Sequence, residues 1–167
     1  EYEPAQIILR PTRDGELRSR ILGSTAHMSV FQRGGEGFED YDQALTRLRG
    51  LPHVLGAAPA FYTKGLMSSG AGSAFVTLKG IVPDQERTVT ELAKQVERGS
   101  LEALEGEGPD GLAPLLLGHD LAASLGVDVG EVVSVTSPRG RLTPLGVLPR
   151  TVKLKVAGVV KSGIYEF

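Results

Sequence analysis

The sequence contains no cysteine and no tryptophan. The missing cysteine excludes disulfides, thiolate nucleophiles and cysteine-ligated metals, whatever the compartment. Aromatic residues make up only 5% of the chain, and the net charge is −2 with the basic residues scattered. That combination offers neither a base-stacking platform nor a cationic face for nucleic acid or an anionic membrane. No run approaches the ~20 consecutive apolar residues that span a bilayer, and no secretory signal is visible. A soluble piece cut from a membrane protein would look the same.

What is present suits an ordinary globular chain. The 167 residues are 41% hydrophobic and 23% charged, which fits one domain or two small lobes. A chain of this size buries about 70% of its unfolded surface, enough for a real core.

Taken in order, Gln6–Leu9 reads as a short strand bracketed by Pro4 and Pro11, either an edge strand or part of an appended terminus. Asp14–Gly23 has a helix-like charge pattern with Gly23 as its stop. Ala26, Met28 and Val30 alternate with His27, Ser29 and Phe31, which predicts a strand with one buried face. Gly34–Gly37 reads as a loop. Glu39–Arg49 reads as an amphipathic helix presenting Tyr41, Leu45 and Leu48, stopped by Gly50 and Pro52. Val54–Lys64 is a strand, with Pro59 placing it at an edge or a bulge. Gly65–Ser73 is read as a hairpin tip and Ala74–Leu78 as the returning strand.

The spacing of Val89, Leu92 and Val96 predicts a second amphipathic helix over Thr88–Glu97. Ser100 is a candidate cap for a short helix over Leu101–Leu104. An acidic, glycine-rich turn spans 105–111, and Leu115–Leu117 is a short apolar run. Gly118–Leu125 reads as a compact helix with Asp120 as cap and Gly126 just past its end. Strands follow at Glu131–Thr136 and Val152–Val160. Helices segregated between hairpins imply an α+β layout, not a regular βαβ series.

Chemistry-bearing motifs are scarce. His27, His53 and His119 show no metal-ligand spacing, and a structural or surface role suits all three. The glycine-rich stretch 65–73 lacks the Gly-Lys-Ser/Thr ending of a phosphate loop. Glu102, Glu105, Glu107 and Asp110 do not follow a calcium-loop pattern, so a solvated turn accounts for them. No catalytic constellation, metal site or cofactor site emerges. The one enzymatic reading is a small hydrolase using His119 and Asp120, separable by an esterase or peptidase screen with His119→Ala as control.

The segment from Ser137 to Val152, SPRGRLTPLGVLPRTV, is the unusual one. It connects two strands with more residues than most hairpin loops. Pro138, Pro144 and Pro149 fix φ and remove three backbone donors, which stiffens an exposed arm and discourages edge pairing. Leu142, Leu145, Val147 and Leu148 are costly on such an arm unless covered. Two readings stand on the residues alone: a loop folded back into the core, or a preorganised prong that docks in a partner's apolar groove.

Three blocks carry a resemblance: ELRSRILGSTAHMSV (Glu16–Val30), GHDLAASLGVDVGEVVSV (Gly118–Val135) and VAGVVKSGIYEF (Val156–Phe167). Together they resemble the extracytoplasmic domain of LolC/LolE-type permeases of the lipoprotein-releasing ABC transporter, a MacB-like periplasmic core domain family. The likeness runs from Asp14 to the C-terminus. It implies a periplasmic core domain over 14–167 on the periplasmic side of the bacterial inner membrane, continuing past Phe167 in the family. Residues 1–13 match no membrane span and are expected to be tag-derived or an atypical N-terminal extension. The implied architecture is a porter-type α/β lobe with a second, β-rich lobe bearing a protruding β-hairpin at 137–152. Two departures stand out: Gly80-Ile81-Val82-Pro83 lacks the family's Asp, and His119-Asp120 stands where an acidic or basic residue usually precedes Leu-Ala.

In LolC-like members the hairpin is a hook that engages the lipoprotein chaperone LolA. Its F-T-P-M-G-x-I-P-like segment resembles Leu142-Thr143-Pro144-Leu145-Gly146-Val147-Leu148-Pro149, with Leu142 and Leu145 replacing Phe and Met. The resemblance favours the prong and assigns the hook to Pro138, Arg139, Arg141, Leu142, Thr143, Pro144, Leu145, Gly146, Val147, Leu148 and Pro149. It assigns a second contact surface to Arg150, Thr151 and Lys153. The implied partners are a LolA-like chaperone, a second permease subunit, a cytoplasmic ATPase and lipoprotein cargo, with no cofactor and no covalent chemistry. The alternative is a related MacB/FtsX-type permease contacting an efflux adaptor or a cell-wall hydrolase regulator.

Overall fold

The structure, a computed structural model, describes residues 6–11, 26, 28–31, 38, 40–106, 108, 110–143 and 146–161, with the backbone alone for 6–11, 138–143 and 146–148. The architecture is α+β, with strands predominating. The chain divides into two compact units: residues 1–63 with 79–94, and residues 64–78 with 95–167.

In the first unit, strand β1 (Gln6–Pro11) lies between β2 (Met28–Val30) and β3 (Val54–Ser68), pairing antiparallel with both. Gln6–Pro11 is therefore an interior strand, not an edge. Pro59 likewise has a strand beside it, opposite Ile7, so β3 is not an edge. It does carry a register irregularity, because Arg10 and Pro11 pair with Gly56 and Val54 and Leu55 is left over. Helix α1 (Tyr41–Arg49) has Asp42 in its first turn and Arg47 and Arg49 in its last, each complementing the helix dipole. Its apolar face packs Ala44, Leu45 and Leu48 against Ala57, Val54 and Val30. Leu45 is buried as expected, whereas Tyr41 and Met28 are exposed. Arg49 closes this helix onto the sheet by donating from Nη2 to the Ala57 carbonyl at 2.8 Å and to Gln85 Oε1 at 2.9 Å.

The expected helix over Thr88–Glu97 does not form. Pro83 starts a short helix α2 (Pro83–Glu86) earlier, in the first-turn position where a missing donor costs nothing. The Thr88 hydroxyl then bonds the Gln85 carbonyl at 2.7 Å, and Thr90 Oγ1 bonds Glu86 Oε1 at 3.0 Å. These local side-chain bonds compete with helix continuation. Only a turn, α3 (Leu92–Gln95), follows before the chain extends into strand β5 (Val96–Gly99). Glu86 is buried and pairs with Lys79 at 2.6 Å.

The second unit contains the end of β3, most of β4 (Ser73–Ile81), β5, β6 (Ala113–Gly118), β7 (Val132–Thr143) and β8 (Gly146–Val160). Its sheet is mixed, because β6 runs parallel to β8 while β5 and β7 pair with β8 antiparallel. Gly99 permits the β5 crossing: its φ is +78°, and a Cβ there would collide with the Ala157 carbonyl. A 3-10 turn at Glu102–Leu104 starts where Ser100 Oγ accepts the Ala103 N–H at 3.2 Å, as the sequence indicates.

Helix α4 (His119–Leu125) follows β6 directly. Gly118 occupies its N-cap without a side-chain bond, so Asp120 lies in the first turn and is not the cap. Gly126 adopts the left-handed conformation at φ 61° and ends the helix as expected. Ala122 and Leu125 of α4 join Met67, Leu117, Val133, Val135, Val156 and Val159 in this unit's core. The turn between β3 and β4 is shorter than the glycine content suggests, since β3 runs through Ser68 and only residues 69–72 turn. The Asp14–Gly23 helix, the Gly34–Gly37 loop and His27 lie outside the described residues.

Candidate functional site

Ser137–Val152 is not a loop. The flanking strands continue into it and pair with one another from Val132↔Lys155 to Thr143↔Gly146. Pro144 and Leu145, between the last pair, lie outside the described residues. The sequence concealed this continuation because prolines interrupt the alternating pattern on both strands.

The ladder has three parts. At its base, Val133 and Val135 lie opposite Leu154 and Val152, and both β7 valines are buried in the core. Here β3 flanks β7 through Leu66↔Thr136, Met67↔Val135 and Ser68↔Ser134, and β6 flanks β8 from Leu154 onward. Above the base, Thr136 and Thr151 pair, with hydroxyl oxygens 2.8 Å apart, and Ser137 pairs with Arg150. The register then shifts. The next pair is Arg141↔Leu148, so residues 138–140 stand opposite Pro149 alone. Two prolines without donors sit where the ladder is interrupted, the position at which a sheet tolerates them. Beyond the shift come Leu142↔Val147 and Thr143↔Gly146.

Among the described residues, neither strand has a third partner past Thr136 on β7 or before Leu154 on β8. Burial follows this topology. Pro149, Arg150, Thr151, Val152 and Lys153 are all exposed in succession, whereas Val156 and Val159 are buried. A strand exposed at consecutive residues is covered on neither face. The structure therefore brings Arg150, Thr151 and Lys153 together on one exposed stretch of β8. It strings Pro138, Arg139, Arg141, Leu142, Thr143, Gly146, Val147, Leu148 and Pro149 along the outer ladder. The Thr136–Thr151 hydroxyl pair was not anticipated; the matching Val-x-Val-Thr and Arg-Thr-Val runs are its only sequence signal.

Neither described histidine is a residue of this ladder. His53 is exposed, with φ +70°. His119 Nδ1 lies 2.9 Å from Glu97 Oε2, both at the surface. Among the described residues, no group of three His, Asp or Glu side chains is placed to hold a metal ion. Asp110, from the acidic turn, is bonded by Lys155 at 2.7 Å. No helix among the described residues is long and apolar enough to cross a membrane.

No family model matches the chain. Curated proteins similar to it include transmembrane proteins of lipoprotein-releasing systems. The lipoprotein-releasing system transmembrane protein LolC of Xylella fastidiosa (strain Temecula1) is 35% identical over 151 residues, 90% of this chain. LolC of Neisseria meningitidis serogroup B is 32% identical over the same length. Over 90% of its length the chain is similar to these LolC transmembrane proteins of lipoprotein-releasing systems. The match spans 35% of the length of each of these relatives.

Proposed function

We propose that this chain is the extracytoplasmic domain of a lipoprotein-releasing ABC transporter permease, and that the outer β7–β8 ladder is a hook for a LolA-like lipoprotein chaperone. The first part rests on the 35% identity with LolC over 90% of the chain. The observation that carries the second is the ladder itself, which continues past every third-strand neighbour among the described residues and bears exposed side chains at its foot.

Physical chemistry supports side-chain docking over strand addition. Prolines at 138 and 149 remove donors where a foreign strand would pair, so the edges are guarded. Leu142 and Leu145 serve as the apolar anchors that enter the chaperone's lipid-accepting cavity. Arg139 and Arg141 contact its rim, and Arg150, Thr151 and Lys153 form the second contact surface at the base. A few desolvated apolar anchors dominate such an interface, and rim charges contribute less. In this reading the domain faces the periplasm. It corresponds to a porter-type lobe and a β-rich lobe, relays ATP-driven movement of the membrane helices, and carries out no covalent chemistry itself. The ATPase and a second permease subunit are separate chains.

Titration of the chain against the LolA-like chaperone of its own organism tests this. Saturable binding that is lost in Leu145→Asp and largely kept in Arg139→Ala is the expected result. Equal losses in the two variants would argue against insertion of the tip. Absence of binding by a folded chain would favour a related permease with a different periplasmic partner.

A further inference from the structure

We draw no further inference here: the strongest candidate, the outer edge of β4 beside the exposed ring of Phe75, has no strand paired to it among the described residues, but nothing in the structure shows what covers it.

Discussion

Two hairpins of the second unit start from the same plan and end differently. The β3–β4 hairpin sends Met67, Ala74, Val76 and Leu78 into the core beneath α4. Its turn is locked there too, because the Ser69 hydroxyl donates to the Leu125 carbonyl at 2.5 Å and accepts the N–H groups of Ala71 and Gly72. Among the residues with described side chains, the β7–β8 hairpin shares that core as far as Val135 on one strand and Leu154 on the other. Beyond them it has, among the described residues, two strands, a register shift and prolines. A two-stranded ribbon is marginally stable alone. In the first hairpin, a helix and a hydroxyl supply what the ribbon lacks. In the second, neither a helix over the outer part nor a hydroxyl locking the turn is found among the described residues, and the proposed function assigns the side chains of that outer part to a partner.

The contrast predicts that stability resides in one hairpin's surroundings and binding in the other. Leu125→Ala removes a fully buried side chain of α4 from beneath β3–β4. It is expected to lower unfolding free energy by about 2–5 kcal/mol in urea titrations. A cost under about 1 kcal/mol would mean that the site collapses around the cavity, and the first half of the contrast would fail.

Leu145→Asp is expected to do the reverse. It should weaken chaperone binding by at least about 2 kcal/mol, or about 30-fold, as loss of an interface anchor does. Its urea midpoint should stay at the wild-type value. A lowered midpoint would show that the tip packs on its own domain, which is the folded-back reading of the segment.

A smaller effect separates backbone from side chain. Gly126 holds φ 61° at the end of α4, 3.1 Å from Ala71 Cβ for an added Cβ. Gly126→Ala should cost about 1–2 kcal/mol, the usual penalty for an L-residue held left-handed. Unfolding monitored by circular dichroism would measure it, and an unchanged midpoint would show that the turn relaxes to accept the methyl.

How much of this was legible beforehand follows the same divide. Where local signals act alone, the sequence reading matches: Gly126 ends α4, Ser100 starts the 3-10 turn, and Leu45 is the buried face of α1. Where tertiary pairing overrides them, it does not. Pro59 predicts an edge or a bulge for its strand; the edge does not hold, since β1 pairs beside it, whereas a register irregularity is present at Leu55 of the same strand. The apolar spacing of Val89, Leu92 and Val96 reads as a helix, yet threonine hydroxyls and the pairing of Val96 with Val160 claim the backbone. In the outer ladder, prolines mimic a loop and hide two strands. The proposed hook residues rest on likeness to a family, since no spacing within the chain by itself indicates a docking role.

The finest test applies one chemical change to both hairpins. Ser69→Ala deletes a hydroxyl that serves three backbone groups, leaving the partly buried Gly72 N–H and Leu125 carbonyl without it, while water can reach the exposed Ala71 N–H. A loss of about 1–2 kcal/mol is expected from the desolvation of those groups. Thr136 and Thr151 also share a hydroxyl bond, but at an exposed site where water replaces either partner. A double-mutant cycle of Thr136→Val and Thr151→Val should therefore give a coupling of only about 0.2–1 kcal/mol, typical of a cross-strand threonine pair. The pair joins the last core-flanked row to the free ladder, so its deletion should disturb the arm before the fold. Amide exchange should rise at Arg150 and Thr151 while Val133 and Val156 stay protected. If exchange rises equally across all four, the arm and the core open together. The two hairpins would then be one cooperative unit, and the division between a stabilising hairpin and a binding one would not hold.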